Sequence, residues 1–262
     1  NIMGLSEKNL LKVETDNQGC MDLRSLKSTI IKCEKENKKI FSIVATLGTT
    51  IMGAIDPIKD IGQICKEKKI WLHIDGSIGG IFAISDIPID GINNLNIANS
   101  ITINPQKILG ITKTSSLLLV SDMDSLKNTF STGIPYISSK GSVSDRGELG
   151  IQGSRPAEII KLWLGLRFLG IYGINNILKS SINRKLLFEK NLLNKKFNIF
   201  SGPLHIISFI PNNMNKLDSD LWTERKRIEL MKMNFMLSRP KFKSKYFLRA
   251  VFGNYNTKNK DI

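Results

Sequence analysis

Short apolar runs closed by glycine or asparagine alternate along this chain with segments whose apolar residues recur every three or four positions. Ile40-Phe41-Ser42-Ile43-Val44-Ala45-Thr46 is a continuous apolar run ending at Gly48, the pattern of a strand buried on both faces. From Pro57 to Lys68, Ile58, Ile61 and Cys65 share one helical face, lysines take the other, and Pro57 stands near the first turn. Ile70-Trp71-Leu72-His73-Ile74 is the next strand, so this strand–helix–strand unit predicts a parallel sheet with right-handed crossovers. Ser100 to Ile103 and Ser116 to Val120 add two strands that flank a turn containing Lys107. The expected fold class is α/β.

Beyond this sheet the character changes. Ser131 to Gln152 is rich in glycine and serine and reads as a long loop. Pro156 to Leu169 predicts a strongly apolar helix, and Asn175 to Lys195 a second, more charged one. Strands at His205 to Ile210 and Tyr246 to Phe252 surround a helix at Ser219 to Met233, as in a small α+β unit. The expected division is a large domain over 1–170 and a small C-terminal α+β domain over 171–262. No internal repeat or heptad run is visible.

At 262 residues the chain can bury a sizeable core. Its net charge of +15 raises a nucleic-acid reading. The lysines are scattered and aromatics do not alternate with them as on a stacking platform, so they read as solvated charge, with no nucleic-acid partner. Apolar stretches are strand-length, far short of the roughly 20 residues that cross a bilayer, so no membrane span is expected. Cys20, Cys33 and Cys65 lack CxxC spacing and predict reduced thiols in a cytoplasmic protein, with no metal site. The chain opens without a methionine at Asn1 and reads as a fragment.

Three polar motifs follow apolar strands: Gly48-Thr49-Thr50, Asp75-Gly76-Ser77 and Asn104-Pro105-Gln106-Lys107. In open α/β sheets, ligands bind beyond the carboxyl ends of the strands. A turn lysine paired with a strand-end carboxylate suits pyridoxal phosphate (PLP). The amine forms a Schiff base with the cofactor aldehyde, and the carboxylate keeps the pyridine nitrogen protonated. Lys107 and Asp75 are the residues expected in these roles. Gly48 permits a tight turn, the threonine hydroxyls reach toward the ring or an incoming carboxylate, and Ser77 shares the side of Asp75. Gly79-Gly80 is read as room for a ligand beside the backbone. His73, on an apolar strand, reads as a hydrogen-bonded core histidine, and Trp222, Met231 and Met233 as core filling.

Val44-Ala45-Thr46-Leu47-Gly48-Thr49-Thr50, Gly53-Ala54-Ile55-Asp56-Pro57-Ile58, Trp71-Leu72-His73-Ile74-Asp75, Asn104-Pro105-Gln106-Lys107 and Lys161-Leu162-Trp163 together resemble the group II PLP-dependent amino acid decarboxylases. That family includes glutamate, aromatic amino acid and diaminobutyrate decarboxylases. The motifs occur in order along the whole chain, which is far more specific than any one alone. The resemblance implies a PLP-dependent transferase type I fold, a homodimer with its active site at the interface, and α-decarboxylation of an L-amino acid. It implies that Thr50 and Ser77 line the ring, that Asn104 and Gln106 lie near the phosphate, and that Asp56 holds the Thr49-Thr50 turn. Tyr136 falls where a mobile loop carries the tyrosine that returns a proton to the substrate carbon. Arg249 resembles an arginine that binds substrate carboxylate, and Arg155 a buried arginine near the subunit interface.

The chain departs from the family pattern in four places. Gln106 stands where histidine is usual, and Gly76-Ser77 where Ala-Ala is usual. The loop after Tyr136 is short. The ring-stacking histidine lies upstream of everything present, and neither His73 nor His205 supplies it by position. Two other readings follow: a related PLP carbon–carbon lyase or aldehyde-forming decarboxylase, and a catalytically incomplete half-chain that needs a complementing partner.

Overall fold

The structure, a computed structural model, describes residues 4–113, 115–133, 146–193 and 195–262. The first sheet holds strands β1 (Ser42–Thr46), β2 (Trp71–Gly76), β3 (Ser100–Ile103) and β4 (Leu117–Val120), in that order. β1, β2 and β3 run parallel, and β4 pairs antiparallel at the edge, so the sheet is mostly parallel as expected. Helices α1 (Leu23–Lys35) and α2 (Ile58–Lys68) pack against it. Asp22 caps α1, its side chain accepting from Ser25 N at 2.8 Å, which satisfies a backbone donor the helix start leaves orphaned.

Strand alternation puts Ile43, Ala45, Leu72 and Ile74 on one face, where Leu26 and Ile30 of α1 and Ile58, Ile61 and Cys65 of α2 bury them. The opposite face stays open. Val44 is 52% exposed and Leu118 55%, so β1 is buried on one face and not on both. A continuous apolar run is necessary for two-sided burial but does not supply the second layer. The parallel order of the strands came from the connections; the depth of burial depends on what packs above them.

The two expected helices between 156 and 195 form one run, α4 (Glu158–Leu193), broken only at Gly170 (φ 58°, ψ 177°). That conformation is open essentially to glycine alone, which lets the direction change within one residue. Ile171 to Ile174, expected as a connection, continue the helix. The second sheet is antiparallel, β5 (Phe197–Ser201), β6 (Ile206–Pro211) and β9 (Leu248–Val251) in the order β5-β6-β9. It carries its own core of Ile207, Phe209, Leu248 and Phe252, with Phe188 and Leu192 of α4 and Trp222 of α5 (Lys216–Lys232) against it. A short helix α3 (Met123–Phe130) and a hairpin of β7 (Lys241–Phe242) and β8 (Lys245–Tyr246) complete the α-helices and strands of the described residues. The expected strand at Tyr246 to Phe252 is split between that hairpin and β9. Lys185, almost fully buried on α4, is satisfied by Glu189 Oε2, Ser201 Oγ and the Gly202 carbonyl, joining the helix to β5. Among the described residues no helix is long and apolar enough to cross a membrane.

Gly170→Ala is expected to cost about 1–3 kcal/mol in urea denaturation, because alanine is strained at this φ and ψ. Gly173→Ala, where the new methyl would make an ordinary 3.4 Å contact with Leu169, should be neutral or stabilising. Equal stability of the two variants would show that the break does not need glycine.

Candidate active site

Parallel pairing sets the strand ends side by side. Thr46 on β1, Asp75 on β2 and Thr102 on β3 are register partners and share the open face. After β1 the backbone turns at Gly48 with φ 100°, a conformation that favours glycine. Thr49 closes the following loop, its N–H donating to the Ala54 carbonyl and its Oγ1 accepting from Ala54 N at 3.0 Å.

After β2, Ser77 N donates to Asp75 Oδ1 at 3.1 Å, an Asx-type turn that orients the carboxylate. After β3, Pro105–Lys107 forms a single 3₁₀ turn. The Lys107 ammonium leaves this turn and donates to Ser77 Oγ at 2.9 Å. An amine and a carboxylate from two neighbouring strand ends are thus bridged by one serine. Lys107 is exposed, and Asp75 and Ser77 are half-buried. A cavity of about 470 Å³ bounded by Cys20, Asp56, Asp60 and Asp90 contains neither Lys107 nor Asp75, so the cluster lies on the open sheet face and not in that concavity.

The remaining expected site residues fall as follows. Asn104 Oδ1 is buried without a hydrogen-bond partner, an acceptor left open beside the lysine turn. Gln106 Oε1 accepts from Ser115 N at 2.7 Å, which leaves only its amide nitrogen to face a ligand. The Thr50 carbonyl accepts from Arg249 Nη1 at 2.6 Å, while Arg249 Nε donates to Ser238 Oγ at 2.7 Å. Arg249 therefore reaches the loop after β1 but spends its guanidinium on protein partners there, and burial lowers its pKa. Tyr136 lies outside the described residues. Arg155 donates to the Gln152 carbonyl on the surface.

Two expectations change. The space at Gly79 and Gly80 is filled by protein: a Cβ at Gly79 would meet the Leu47 carbonyl at 2.5 Å, and one at Gly80 would meet Ile103 at 2.8 Å. These glycines serve close packing of the turn and leave no room for a ligand. Asp56 does not bond the Thr49-Thr50 turn; its two oxygens accept from Met21 N and Thr46 N, each at 2.7 Å. It ties the segment before α1 to the end of β1, with burial pushing its carboxyl up against the pull of those two amides.

Several participants were not legible as a group. His73 is hydrogen-bonded, as expected, but on the half-open face and not in the core: its ring lies between Ser100 Oγ (2.8 Å) and Thr102 Oγ1 (3.3 Å). The i, i+2 spacing of His73 and Asp75 was the available signal; the cross-strand hydroxyls needed the register. Burial lowers the His73 pKa, with Asp75 acting in opposition. Behind the lysine turn, His205 is 2% exposed, stacks on Phe82, and accepts from Phe252 N through its carbonyl. A Cβ at Gly253 would stand 3.3 Å from the Lys107 carbonyl and 3.7 Å from the His205 ring, so the C-terminal segment backs the lysine turn directly.

The sequence profile described as the pyridoxal-dependent decarboxylase conserved domain matches residues 2–209, most of the chain. The chain belongs to the pyridoxal-dependent decarboxylase family. Human acidic amino acid decarboxylase GADL1 is 32% identical over 198 residues, covering 74% of this chain and 37% of its own length. Bacillus atrophaeus aromatic-L-amino-acid decarboxylase is 26% identical across all of this chain and 56% of its own length. The chain therefore spans about a third to just over half of these decarboxylase relatives. Among solved structures, mouse CSAD matches at TM-score 0.88 and 24% identity, over 99% of this chain and 57% of that one. Oryza sativa TDC with PLP and tryptamine matches at TM-score 0.90 and 19% identity, over 99% and 56%. At these identities the likeness carries the fold, and the fold is the PLP-dependent transferase type I fold.

The donor set suits the family's cofactor. A primary amine that an aldehyde would take, a carboxylate that a ring nitrogen would take and a hydroxyl beside both are within one cluster, and the lysine turn begins at Asn104, whose amide oxygen is unpartnered.

His205 gives a test of the wall behind the cluster. Burial, assisted by Arg184, pushes its imidazole pKa down to about 4. Above its unfolded value near 6.5 the ring is neutral in both states. As pH falls from about 6.5 to about 4 the unfolded chain gains a proton the folded chain resists, so stability drops by about 3 kcal/mol and then levels off. Urea denaturation across that range should show a shallower pH dependence for His205→Gln than for the parent chain. Identical slopes would mean the ring titrates normally.

Proposed function

We propose that this chain forms the catalytic core of a PLP-dependent α-decarboxylase of L-amino acids, with Lys107 carrying the cofactor and Asp75 pairing its pyridine nitrogen. The single observation that carries this reading is the Lys107–Ser77–Asp75 cluster, in which one serine bridges amine and carboxylate at adjacent strand ends. When bound, PLP supplies an electron sink for the pair released as the bond at the substrate Cα breaks. Lys107 is the residue that would hold the cofactor, its primary amine being the group an aldehyde would take. Ser77 holds that amine toward the ring. Asp75 is the carboxylate that would face the ring nitrogen and hold a proton on it. Thr50, Asn104 and the Gln106 amide bound the site on its other sides, with Asn104 and Gln106 toward the phosphate. Arg249 orients the substrate carboxylate once it leaves the Thr50 carbonyl. Tyr136 is the proposed donor of the proton that replaces CO2 at Cα, with closure of its loop excluding water.

In this reading the working protein is a cytoplasmic homodimer, and the chain divides into a large domain over 1–170 and a small one over 171–262. Exposed apolar side chains on α4, among them Trp163, Phe168 and Tyr172, support a covering partner. The antiparallel sheet's own apolar core supports a second unit, while Ile174, Leu178, Leu204 and Ile206 pack in the core of the first sheet. One observation favours a second reading. The sheet face that bears the cluster is open and Lys107 is exposed, as in a half-chain whose site is completed by a complementing partner.

Incubation with PLP followed by borohydride reduction and peptide mapping is expected to place a pyridoxyl group on Lys107. Asp75→Ala should lower occupancy about tenfold, the scale of a lost hydrogen bond to a charged group. Labelling scattered over many surface lysines would refute a working pocket in this chain. A selective label with no CO2 release from any L-amino acid would favour the half-chain reading.

A further inference from the structure

The loop between β1 and α2 is closed by its own hydrogen bonds. Gly48 N and Thr49 N both donate to the Ala54 carbonyl, at 3.0 and 2.8 Å, Gly53 N donates to the Thr49 carbonyl at 2.8 Å, and Ala54 N donates to Thr49 Oγ1 at 3.0 Å. The three consecutive carbonyls inside this closure, those of Thr50, Ile51 and Met52, are all taken by donors from the C-terminal part of the chain. Arg249 Nη1 on β9 donates to the Thr50 carbonyl at 2.6 Å, Ser208 Oγ on β6 to that of Ile51, and Gly202 N, just past β5, to that of Met52 at 2.6 Å. Ser208 and Arg249 are register partners on neighbouring strands, so two side-by-side donors meet two consecutive carbonyls.

The three donors differ in their surroundings. Arg249 is half-buried and its bond to Thr50 is exposed, where water competes for the same carbonyl. Ser208 is 0% exposed on the central strand of its sheet, so breaking its bond leaves a buried hydroxyl with no water to turn to. Gly202 is fixed in turn. Its carbonyl accepts from the buried Lys185 ammonium at 3.0 Å, and a Cβ on it would stand 2.5 Å from the Gly53 carbonyl. Met52, Gly53 and Ala54 are buried, whereas Thr50 is exposed. Ser208 and Gly202 thus meet the deep part of the loop, and Arg249 meets the exposed end at Thr50.

We propose that Ser208 is a positioning residue of the candidate active site: with the Gly202 amide it anchors the loop after β1 independently of Arg249, so that Arg249 can exchange the Thr50 carbonyl for a carboxylate while Thr50 keeps its place. This role rests on those given to Thr50 and Arg249 under the proposed function. The anchoring itself is a property of the chain and does not require the cofactor.

Hydrogen–deuterium exchange of the whole apo chain, read by mass spectrometry on peptides covering residues 48–54, tests the anchor. Ser208→Ala should speed exchange there about tenfold, the scale of one lost buried hydrogen bond, with β2 unchanged. Ser208→Cys, close in size and a weaker donor, should fall between that variant and the parent. Arg249→Gln should leave the loop within about twofold of the parent, as for an exposed bond that water replaces. A loop loosened as much by Arg249→Gln as by Ser208→Ala would overturn the proposal, as would an unchanged loop in Ser208→Ala or an equal speeding of β2. The consequence for the site is read from PLP affinity by absorbance titration. Ser208→Ala should weaken binding about fivefold in the parent chain and no further in Thr50→Ala. An equal loss in both backgrounds would show that Ser208 acts through packing alone and would overturn its positioning role. Absence of PLP on Lys107 in the parent chain would sink the proposed function, while exchange in the loop still decides whether Ser208 or Arg249 holds it.

Discussion

The parallel register of β1, β2 and β3 is the constraint on which the rest of this structure depends. It sets Thr46, Asp75 and Thr102 in one row and starts three polar turns from the same end of the sheet. A shift of one residue in β2 would send Asp75 and His73 to the core face and bring Leu72 and Ile74 to the open one. The packing of Leu72 and Ile74, both fully buried against α1 and α2, makes that shift costly. Burial on one face thus secures the chemistry on the other.

The second sheet contributes by holding the turns. Arg249 and Ser208 bond to the carbonyls of Thr50 and Ile51, and Gly202 N donates to the Met52 carbonyl. A Cβ at Gly202 would stand 2.5 Å from the Gly53 carbonyl, so the contact there is backbone against backbone. On the other side of the site, Gly253 and His205 back the Lys107 turn. Strand-end loops that would be mobile alone are thereby braced between two separately packed cores, which is what placing an amine and a carboxylate within one serine of each other demands.

Membership of the pyridoxal-dependent decarboxylases gives these contacts a common logic. The family's cofactor would take an amine for its aldehyde and a carboxylate for its ring nitrogen. Here the amine is exposed and bonded to a hydroxyl, whereas the carboxylate accepts from the turn that follows it and has Thr46 and Thr102 as its register partners. The two groups differ in their surroundings.

Much of this was legible in the residues alone. Short apolar runs located β1 to β4, the 3.6-residue period located α2, and the ordered motifs pointed to Lys107 and Asp75, because local pattern and strand-end chemistry act over a few neighbours. The helix α1 was missed although Leu26, Ile30 and Cys33 carry its period, the two-residue strands of the β7–β8 hairpin were too short to stand out, and β5 has Asn198 interrupting its apolar run. Tertiary structure alone decided what depends on distant segments. It opened one face of β1, filled the space at Gly79 and Gly80 with Leu47 and Ile103, turned Asp56 toward Met21 and Thr46, and engaged Arg249 with Thr50. It also placed the hydroxyls of Ser100 and Thr102 around His73. The sequence by itself determined which side chains alternate along each strand, since that period is a property of the extended backbone. Which atoms those side chains meet was settled only when register and packing brought separate parts of the chain together.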